Sequence, residues 1–367
     1  MSQATPGGFR EALSRLRRHS IARLGAIAIV FLFVVAIFAD VLAAELPVIL
    51  RHQGRWWLMA NVTHPVELAA HDCATLAAED PGGIRIGPLV CHGPEREHEG
   101  ELLAPPMARA GHPLGTDARG RDVFARLVHG TRNSLTFALV TTLAFVGIGT
   151  FLGAVVGFRG GAVDSMVARL VDTLTAFPML VLAIGVQAMI PNPSAATLFV
   201  AIGLTKWTEV YRLVRAEVQH AQNRDYVLAA RALGASPARV LFRHIGPNTR
   251  SVAIVAGTYG IASVVLAEAS LTFLRVGRDT TTASWGEILS EVRDHPNAWW
   301  LLVFPGVMLL ATIAGHHVVG EALRDVLDPH ARAAGDRVTA ALPPSTALMD
   351  SELGAQAQHP AGGRERE

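Results

Sequence analysis

Residues 225–248 read DYVLAARALGASPARVLFRHIGPN, and this stretch predicts two helices joined by a sharp bend. Its first nine residues suit a helix that ends at Gly234, since glycine favours the left-handed backbone found after a helix end. Ser236 is a good N-cap, and Pro237 suits the first turn of a second helix.

The second helix is short and amphipathic. Its apolar face is formed by Val240, Leu241, His244 and Ile245. Gly246-Pro247 is expected to end it. On pattern alone, the segment is either a basic loop attracted to anionic lipid or a docking element whose small residues admit a partner surface.

The composition indicates a membrane protein. The 367-residue chain is 50% hydrophobic and 17% charged, with a mean hydropathy of +0.33, whereas soluble domains carry about a quarter charged residues. A net charge of +1 gives no basic bias toward nucleic acid. The single lysine, Lys206, follows Thr205 and not glycine, which excludes a Walker A loop for ATP from this sequence.

Six apolar runs are long enough to cross a bilayer, which needs about 20 helical residues. They are Ile21–Ala44, Ser134–Phe158, Met166–Ile190, Ala195–Val214, Val252–Leu274 and Trp299–Gly320. The first run could also be a cleaved signal peptide, but its long basic leader and the later spans favour a retained anchor. The sequence thus predicts an all-α polytopic membrane protein with six transmembrane helices.

The arginines predict the orientation, because basic residues concentrate in cytoplasmic loops. Residues 1–20 form a basic N-terminus; residues 212–250 hold seven arginines against two acids, and residues 45–120 hold six against ten. Both termini are then cytoplasmic, and residues 45–111 form an extracytoplasmic insertion. Residues 331–367 are expected to be a disordered cytoplasmic tail.

Small residues and prolines predict how the spans pack. Gly149, Gly153 and Gly157 recur every four residues and form a flat stripe that a neighbouring helix can approach closely. Pro178 and Pro305 fall inside spans and are expected to be tolerated there as kinks.

Five further stretches, together with residues 225–248, resemble the second, or C-type, permease subunit of the dipeptide, oligopeptide and nickel ABC importers. These stretches are HPLGTDARGRDVFARL (112–127), RLVDTLTAFP (169–178), AEASLTFL (267–274), SWGEIL (284–289) and LRDVLDP (323–329). Ala229-Ala230, Gly234 and Ile245-Gly246-Pro247 resemble the "EAA" loop of that family. The stretches follow the family order across residues 112–330.

The resemblance implies a type I ABC importer transmembrane fold, with the insertion after the first helix (residues 21–44) and a permease core over residues 112–330. It implies several partners: a second (B-type) permease subunit, two ATPase subunits, an extracytoplasmic solute-binding protein and the lipid bilayer. ATP and Mg²⁺ would bind the ATPase subunits, so this chain would be a transport subunit of the bacterial plasma (inner) membrane without a cofactor or catalytic residues. Peptides are the expected substrate, and nickel or another small solute is the alternative.

The resemblance places the coupling to the ATPase in the loop 215–250. The candidate coupling residues are Leu228, Ala229, Ala230, Gly234, Ser236, Pro237, Ile245 and Pro247. The sequence departs from the family pattern at Leu228, where the family has Glu, at Gly246, where it has Leu, and at Arg275, where it has Gly.

Ionisable residues inside spans are candidates for function, because a charge there is costly. Glu268 and Asp172 are candidate pore or gating residues, or they form hydrogen bonds between helices; a structural or gating role is favoured over substrate choice. Lys206 and Glu209 lie three residues apart and are expected to pair.

The insertion contains both cysteines, Cys73 and Cys91, which are expected either to form a disulfide or to remain free thiols. Histidines also concentrate in the insertion and directly after it, at His52, His64, His71, His92, His98 and His112. Their spacing matches no metal-site template, so a surface that touches a partner protein is expected and a metal site is not. In the last span, His316 and His317 point to different helix faces and are not expected to share a metal ion.

An ion-coupled transporter is the competing class, with Glu268, Asp172 and His316 as a proton path. A membrane-embedded hydrolase ranks third, since neither HExxH nor Gly-x-Ser-x-Gly occurs. The bend in residues 225–248 favours the ATP-driven importer, because an ion-coupled carrier needs no surface for an ATPase.

Overall fold

The computed structural model describes residues 20–80, 82–98, 100–109, 111–276 and 282–327, and the chain over these residues is mostly helical. The predicted tail 331–367 and residues 1–19 of the predicted basic N-terminus lie outside the described residues. The helices are α1 (Ser20–Ile37), α2 (Ala39–Leu42), α3 (Ala60–Thr63), α4 (Cys73–Glu79), α5 (Val123–Arg159), α6 (Gly161–Thr175), α7 (Met179–Ala188), α8 (Ala195–Gln222), α9 (Asp225–Ala232), α10 (Pro237–Arg239), α11 (Gly246–Phe273), α12 (Trp285–Glu291) and α13 (Trp300–Leu327). The strands are β1 (Ile49–His52), β2 (Arg55–Leu58) and β3 (Arg85–Ile86).

Four helical segments of the described chain are long and apolar enough to cross a membrane. They are α1, α5, the run Pro237–Phe273 that contains α10 and α11, and α13. Large apolar side chains such as Leu143, Phe151 and Leu310 are exposed on these segments, as expected of surfaces that face lipid. The prediction of a mostly helical, polytopic membrane protein is confirmed.

The third predicted span, Met166–Ile190, is not a single kinked helix. It consists of α6 and α7, which meet at an angle of 84°. Pro178 precedes α7 in an extended conformation, with φ −56° and ψ 128°. Proline cannot donate the N–H that would continue α6, and it disfavours helical backbone in the residue before it. The expectation of a tolerated kink is wrong at Pro178, whereas Pro305 does lie within α13.

The fourth predicted span, Ala195–Val214, forms most of α8, but α8 is too polar to count as a membrane span by composition. Lys206 donates to Glu209 across 2.9 Å on this helix, which confirms the predicted pair. The described residues therefore hold four candidate spans, or five if α6 and α7 together form one. The number six and the orientation stay predictions.

The glycine stripe sets the contact between α5 and α8. A Cβ atom on Gly149 would lie 2.7 Å from the carbonyl oxygen of Trp207, and one on Gly153 would lie 2.8 Å from that of Tyr211. Because no larger residue fits, the backbones approach closely here, as the sequence predicts.

The main core lies between α5, α8, α11 and α13. Its fully buried members include Leu135, Phe145, Leu198, Val264 and Leu301. α1 packs against α13 where a Cβ atom on Gly25 would lie 3.0 Å from the Gly315 carbonyl oxygen.

Residues 45–111, named here the insertion lobe, have a small core of their own, formed by Leu46, Leu50, Leu68 and Leu76 among others. The lobe contains an antiparallel sheet in the order β2-β1-β3. The all-α prediction is therefore wrong for this region. The strands have at most four residues, too few for a clear alternating pattern in the sequence.

Candidate functional site

The bend segment, residues 225–247, begins with α9 and turns at Gly234. Gly234 has φ +80°, in the left-handed region that glycine adopts readily. The Gly234 N–H donates to the Arg231 carbonyl, and the Ala235 N–H donates to that of Ala230. These bonds are the pattern of a Schellman cap. Ser236 then caps α10 by accepting a bond from the Arg239 N–H, so the predicted bend is confirmed.

The second helix of the bend segment does not end at Gly246-Pro247. The chain passes from α10 through a π-helical turn, Val240–Ile245, directly into α11. The Gly246 N–H donates to the Leu241 carbonyl, five residues back, and Pro247 lies in the first turn of α11, where its missing N–H costs little. The prediction of a stop is wrong, because the π turn lets the helix continue past the proline.

The bend segment carries both buried and exposed apolar side chains, and the exposed ones are named here the exposed apolar face. Val240 and Ile245 are buried against the core, as the apolar stripe predicts. Leu228 is 50% exposed, Phe242 is 66% exposed and Leu233 is 88% exposed. Large apolar side chains exposed on one short segment suit contact with another surface.

The candidate coupling residues divide into exposed and buried positions. The exposed ones are Leu228, Ala229, Gly234, Ser236, Pro237 and Pro247, and the buried ones are Ala230 and Ile245. Tyr226 and Phe242 are also exposed, but the family pattern does not single them out.

Glu268 is fully buried in α11. Ser134 of α5 donates to Glu268 Oε2 at 3.2 Å, and Thr272, one turn further along α11, donates to Oε1 at 3.5 Å. The carboxyl group therefore joins two helices, the arrangement expected of its structural role.

Asp172 lies on an exposed part of α6 and joins α6 to α8. Arg212 donates to its Oδ1 across 2.7 Å and also reaches the Thr175 hydroxyl at 2.7 Å. A stronger connection between the same helices involves Asp164, which accepts two bonds from Arg215 at 2.5 and 2.6 Å. Asp164 is not recognisable from the sequence, since one acid near a helix start carries no distinctive pattern.

A buried ion network connects the chain before α5 to α12. Arg121 donates to Asp117 at 2.7 Å and to Glu291 at 2.9 Å. Arg126, with no exposed surface, pairs with Glu287 and lies 3.3 Å from Asp117. Burial, and next to it the negative charge of Asp117, raises the pKa of Glu291. Most of these residues belong to the stretches that carry the resemblance, but their spacing along the chain does not predict that they meet.

In the insertion lobe, Cys73 and Cys91 are joined as a disulfide, with their Cα atoms 6.0 Å apart. Cys73 begins α4, and Cys91 follows the last strand of the lobe, so the bond closes the lobe on itself.

The insertion lobe also brings histidines together that are distant in sequence. Two groups of side chains could each hold a metal ion: His92, His98 and His112, and separately His52, His71 and Glu79. Spacing along the chain does not indicate either group, because the members of each group come from separate segments of the chain and not from one helix or strand. In the last span, His316 Nδ1 contacts the Thr312 carbonyl and His317 lies beside Tyr259, so the two rings point apart as predicted.

Comparison with known proteins identifies the family. A family model described as the binding-protein-dependent transport system inner membrane component matches residues 149–333, half of the chain. A second model, the N-terminal transmembrane domain of oligopeptide transport permease C, matches residues 8–52. This chain belongs to the binding-protein-dependent transport permeases.

Relatives of this permease match over most of their length. The dipeptide transport system permease protein DppC of Alkalihalophilus pseudofirmus is 30% identical over 322 residues, which cover 88% of this chain and 90% of the relative. DppC of Haemophilus influenzae is 36% identical over 64% of this chain and 81% of the relative. The oligopeptide transport system permease protein OppC of Bacillus subtilis is 36% identical over 60% and 72%, respectively.

The permease family model includes the bend segment, Asp172 and Glu268, so these sites lie in the part of the chain that the family shares. Most of the insertion lobe lies between the two matched ranges. By its family and its apolar helices, the permease is a multi-pass transport protein.

Proposed function

We propose that this permease is a transmembrane subunit of an ATP-driven peptide importer in a bacterial plasma membrane. It forms half of the translocation path together with a second permease subunit. An extracytoplasmic binding protein delivers the peptide, and two partner chains bind ATP and Mg²⁺. The names of the relatives support a peptide substrate, since they are dipeptide and oligopeptide permeases.

The observation that carries the coupling part of the proposal is the exposed apolar face of the bend segment. Leu228, Leu233 and Phe242 project from it, although the scaffold behind them is packed. Arg239 and Arg243 of the same segment are also exposed. Loops rich in arginine favour the cytoplasmic side of a membrane, which is the side where ATP is available.

The fold suggests how a movement of the ATPase reaches the membrane. α10 continues without a break into α11, so Pro237–Phe273 is one helical run of 37 residues. A displacement of α10 therefore moves α11 as well, and α11 carries Glu268. Closure of the ATPase pair on ATP would favour one of two arrangements of these helices, which gives the transport cycle its direction.

The ion-coupled alternative has weaker support. Each member of its proposed proton path has a local partner: Asp172 pairs with Arg212, Glu268 accepts from Ser134, and His316 contacts the Thr312 carbonyl. A proton relay needs groups that exchange protons with each other. Each of these three groups instead contacts a partner outside the proposed path.

The test is co-purification of the permease with its neighbouring permease and ATPase subunits. Leu228→Asp and Phe242→Asp place a charge on the exposed face and should abolish ATPase binding and stimulated ATP hydrolysis, while the chain still inserts. Leu102→Asp is the matched control, because Leu102 is also exposed but lies in the insertion lobe. Normal ATPase binding by both bend variants, or transport driven by a proton gradient without ATP, would refute the proposal.

A further inference from the structure

Three imidazole rings converge where the insertion lobe meets the chain leading into α5. The ring centroids of His92 and His112 lie 4.3 Å apart, those of His92 and His98 4.8 Å, and those of His98 and His112 5.3 Å. Each residue offers a ring nitrogen within 4.8 Å of the other two. Ligand atoms around a tetrahedral zinc ion lie roughly 3.4 Å apart, given bonds of about 2.0–2.1 Å. Small side-chain rotations are therefore enough to close the group around an ion.

His112 is already held in the orientation of a metal ligand. Its Nδ1 lies 2.7 Å from Asp122 Oδ2, which leaves Nε2 as the candidate ligand atom. Asp122 is itself fixed, because its other oxygen accepts the Ala125 N–H at the start of α5. In zinc sites, the histidine nitrogen that does not bind the metal commonly donates a hydrogen bond to a carboxylate, which orients the ring.

The remaining contacts bring a carboxylate next to His112 and fix a second ring. Glu101 Oε2 lies 2.9 Å from His112 Nε2, so this carboxylate is within reach of an ion bound at that nitrogen. His98 uses Nδ1 for a 3.2 Å contact with the Gly120 carbonyl, which leaves its Nε2 as the candidate ligand atom.

The His92 ring stacks on that of His112, with the two ring planes 17° apart. Gly111 borders the His92 ring. A Cβ atom at position 111 would lie 2.8 Å from His92 Nε2, so a larger residue there would crowd this nitrogen.

We propose that His92, His98, His112 and Glu101 bind a resident divalent transition-metal ion of the zinc type, with Asp122 as a positioning residue. Three imidazoles and one carboxylate suit zinc, nickel or copper, whereas calcium and magnesium prefer oxygen ligands alone. The ion would hold His92, His98, Glu101 and His112 together, and Asp122 would connect the site to the start of α5. This site is separate from the proposed ATPase contact and does not depend on it.

The experiment measures Zn²⁺ binding to the full-length chain, purified without a polyhistidine tag and treated with a chelator. Wild type should bind Zn²⁺, and Co²⁺ in its place should give the intense visible bands of a four-coordinate ion. His92→Asn and His98→Asn should each remove one equivalent of bound Zn²⁺. Both positions are only partly buried, so these variants should fold, whereas His112 is 2% exposed.

Two further variants test the positioning role of Asp122 and the specificity of binding. Asp122→Asn keeps an N-cap for α5 but weakens the orientation of His112, so it should lower the Zn²⁺ affinity about 10–100-fold. His64→Asn is the control, because His64 is exposed and belongs to neither group. The proposal is overturned if wild type binds no Zn²⁺, or if His71→Asn, in the second histidine group, removes the ion while His92→Asn and His98→Asn retain it.

Discussion

Single atoms decide how closely α5 and α8 approach each other. At Gly149 and Gly153 the opposing helix occupies the space that a Cβ atom would need. Gly147 lies on the same helix, but a Cβ atom there would meet nothing within 4 Å. The same residue type therefore has two different roles within two turns of one helix.

We predict that Gly149→Ala destabilises the permease by about 1–3 kcal/mol, the usual cost of overpacking a tight contact. Gly147→Ala should be neutral or slightly stabilising, because alanine favours a helix over glycine. Thermal unfolding of the two purified variants measures the difference. Equal stability of the two would show that the α5–α8 contact is not as close as described.

Glu268 offers a second prediction at this scale. Its two oxygens accept hydrogen bonds from Ser134 and Thr272, and an amide oxygen can replace one of them. We expect Glu268→Gln to retain most transport, whereas Glu268→Leu should cost about 1–3 kcal/mol, because Ser134 would lose its partner. Peptide uptake and thermal unfolding are measured together. Loss of transport in a stable Glu268→Gln protein would instead show that the charge itself gates the path.

At the scale of elements, the bend segment depends on one residue with positive φ. Gly234 turns the chain between α9 and α10, and the π turn before Pro247 then joins α10 to α11. The first feature positions the exposed apolar face, and the second connects that face to a membrane span.

We predict that Gly234→Val weakens ATPase binding, since left-handed backbone costs a residue with a Cβ about 1–2 kcal/mol. Gly234→Asn should behave almost as wild type, because asparagine tolerates this conformation. Co-purification of the ATPase with each variant is the measurement. Similar losses in the two variants would indicate that the glycine provides space for a partner and not a backbone angle.

At the scale of the whole molecule, the buried ion network joins regions that are more than 160 residues apart in sequence. It includes the pair Arg126–Glu287, of which neither side chain is more than 5% exposed. Removing one member of such a pair leaves an uncompensated charge in the interior.

Glu287→Gln is therefore expected to lower the free energy of unfolding by about 3–5 kcal/mol. The matched control is Glu97→Gln, because Glu97 pairs with Arg119 at 3.8 Å on an exposed surface, where such a pair is worth roughly 0–1 kcal/mol. Chemical denaturation of both variants tests the comparison. A small effect at Glu287 would mean that the other carboxylates of the network compensate for its loss.

The sequence by itself determined the membrane class, most of the apolar spans, the glycine stripe and the bend at Gly234. These features depend on local rules: the length of an apolar run, the spacing of small residues along one helix, and the backbone preference of a single glycine. The candidate coupling residues came from the resemblance of several stretches to one permease family, and the family comparison confirmed that resemblance.

Only the tertiary structure decided the features that depend on distant residues. It broke the span at Pro178, carried the helix past Pro247, and paired Arg126 with Glu287. It also brought His92, His98 and His112 to one point. Contacts of this kind are set by how helices and loops pack in three dimensions, and a pattern along one chain does not encode which distant side chains will meet.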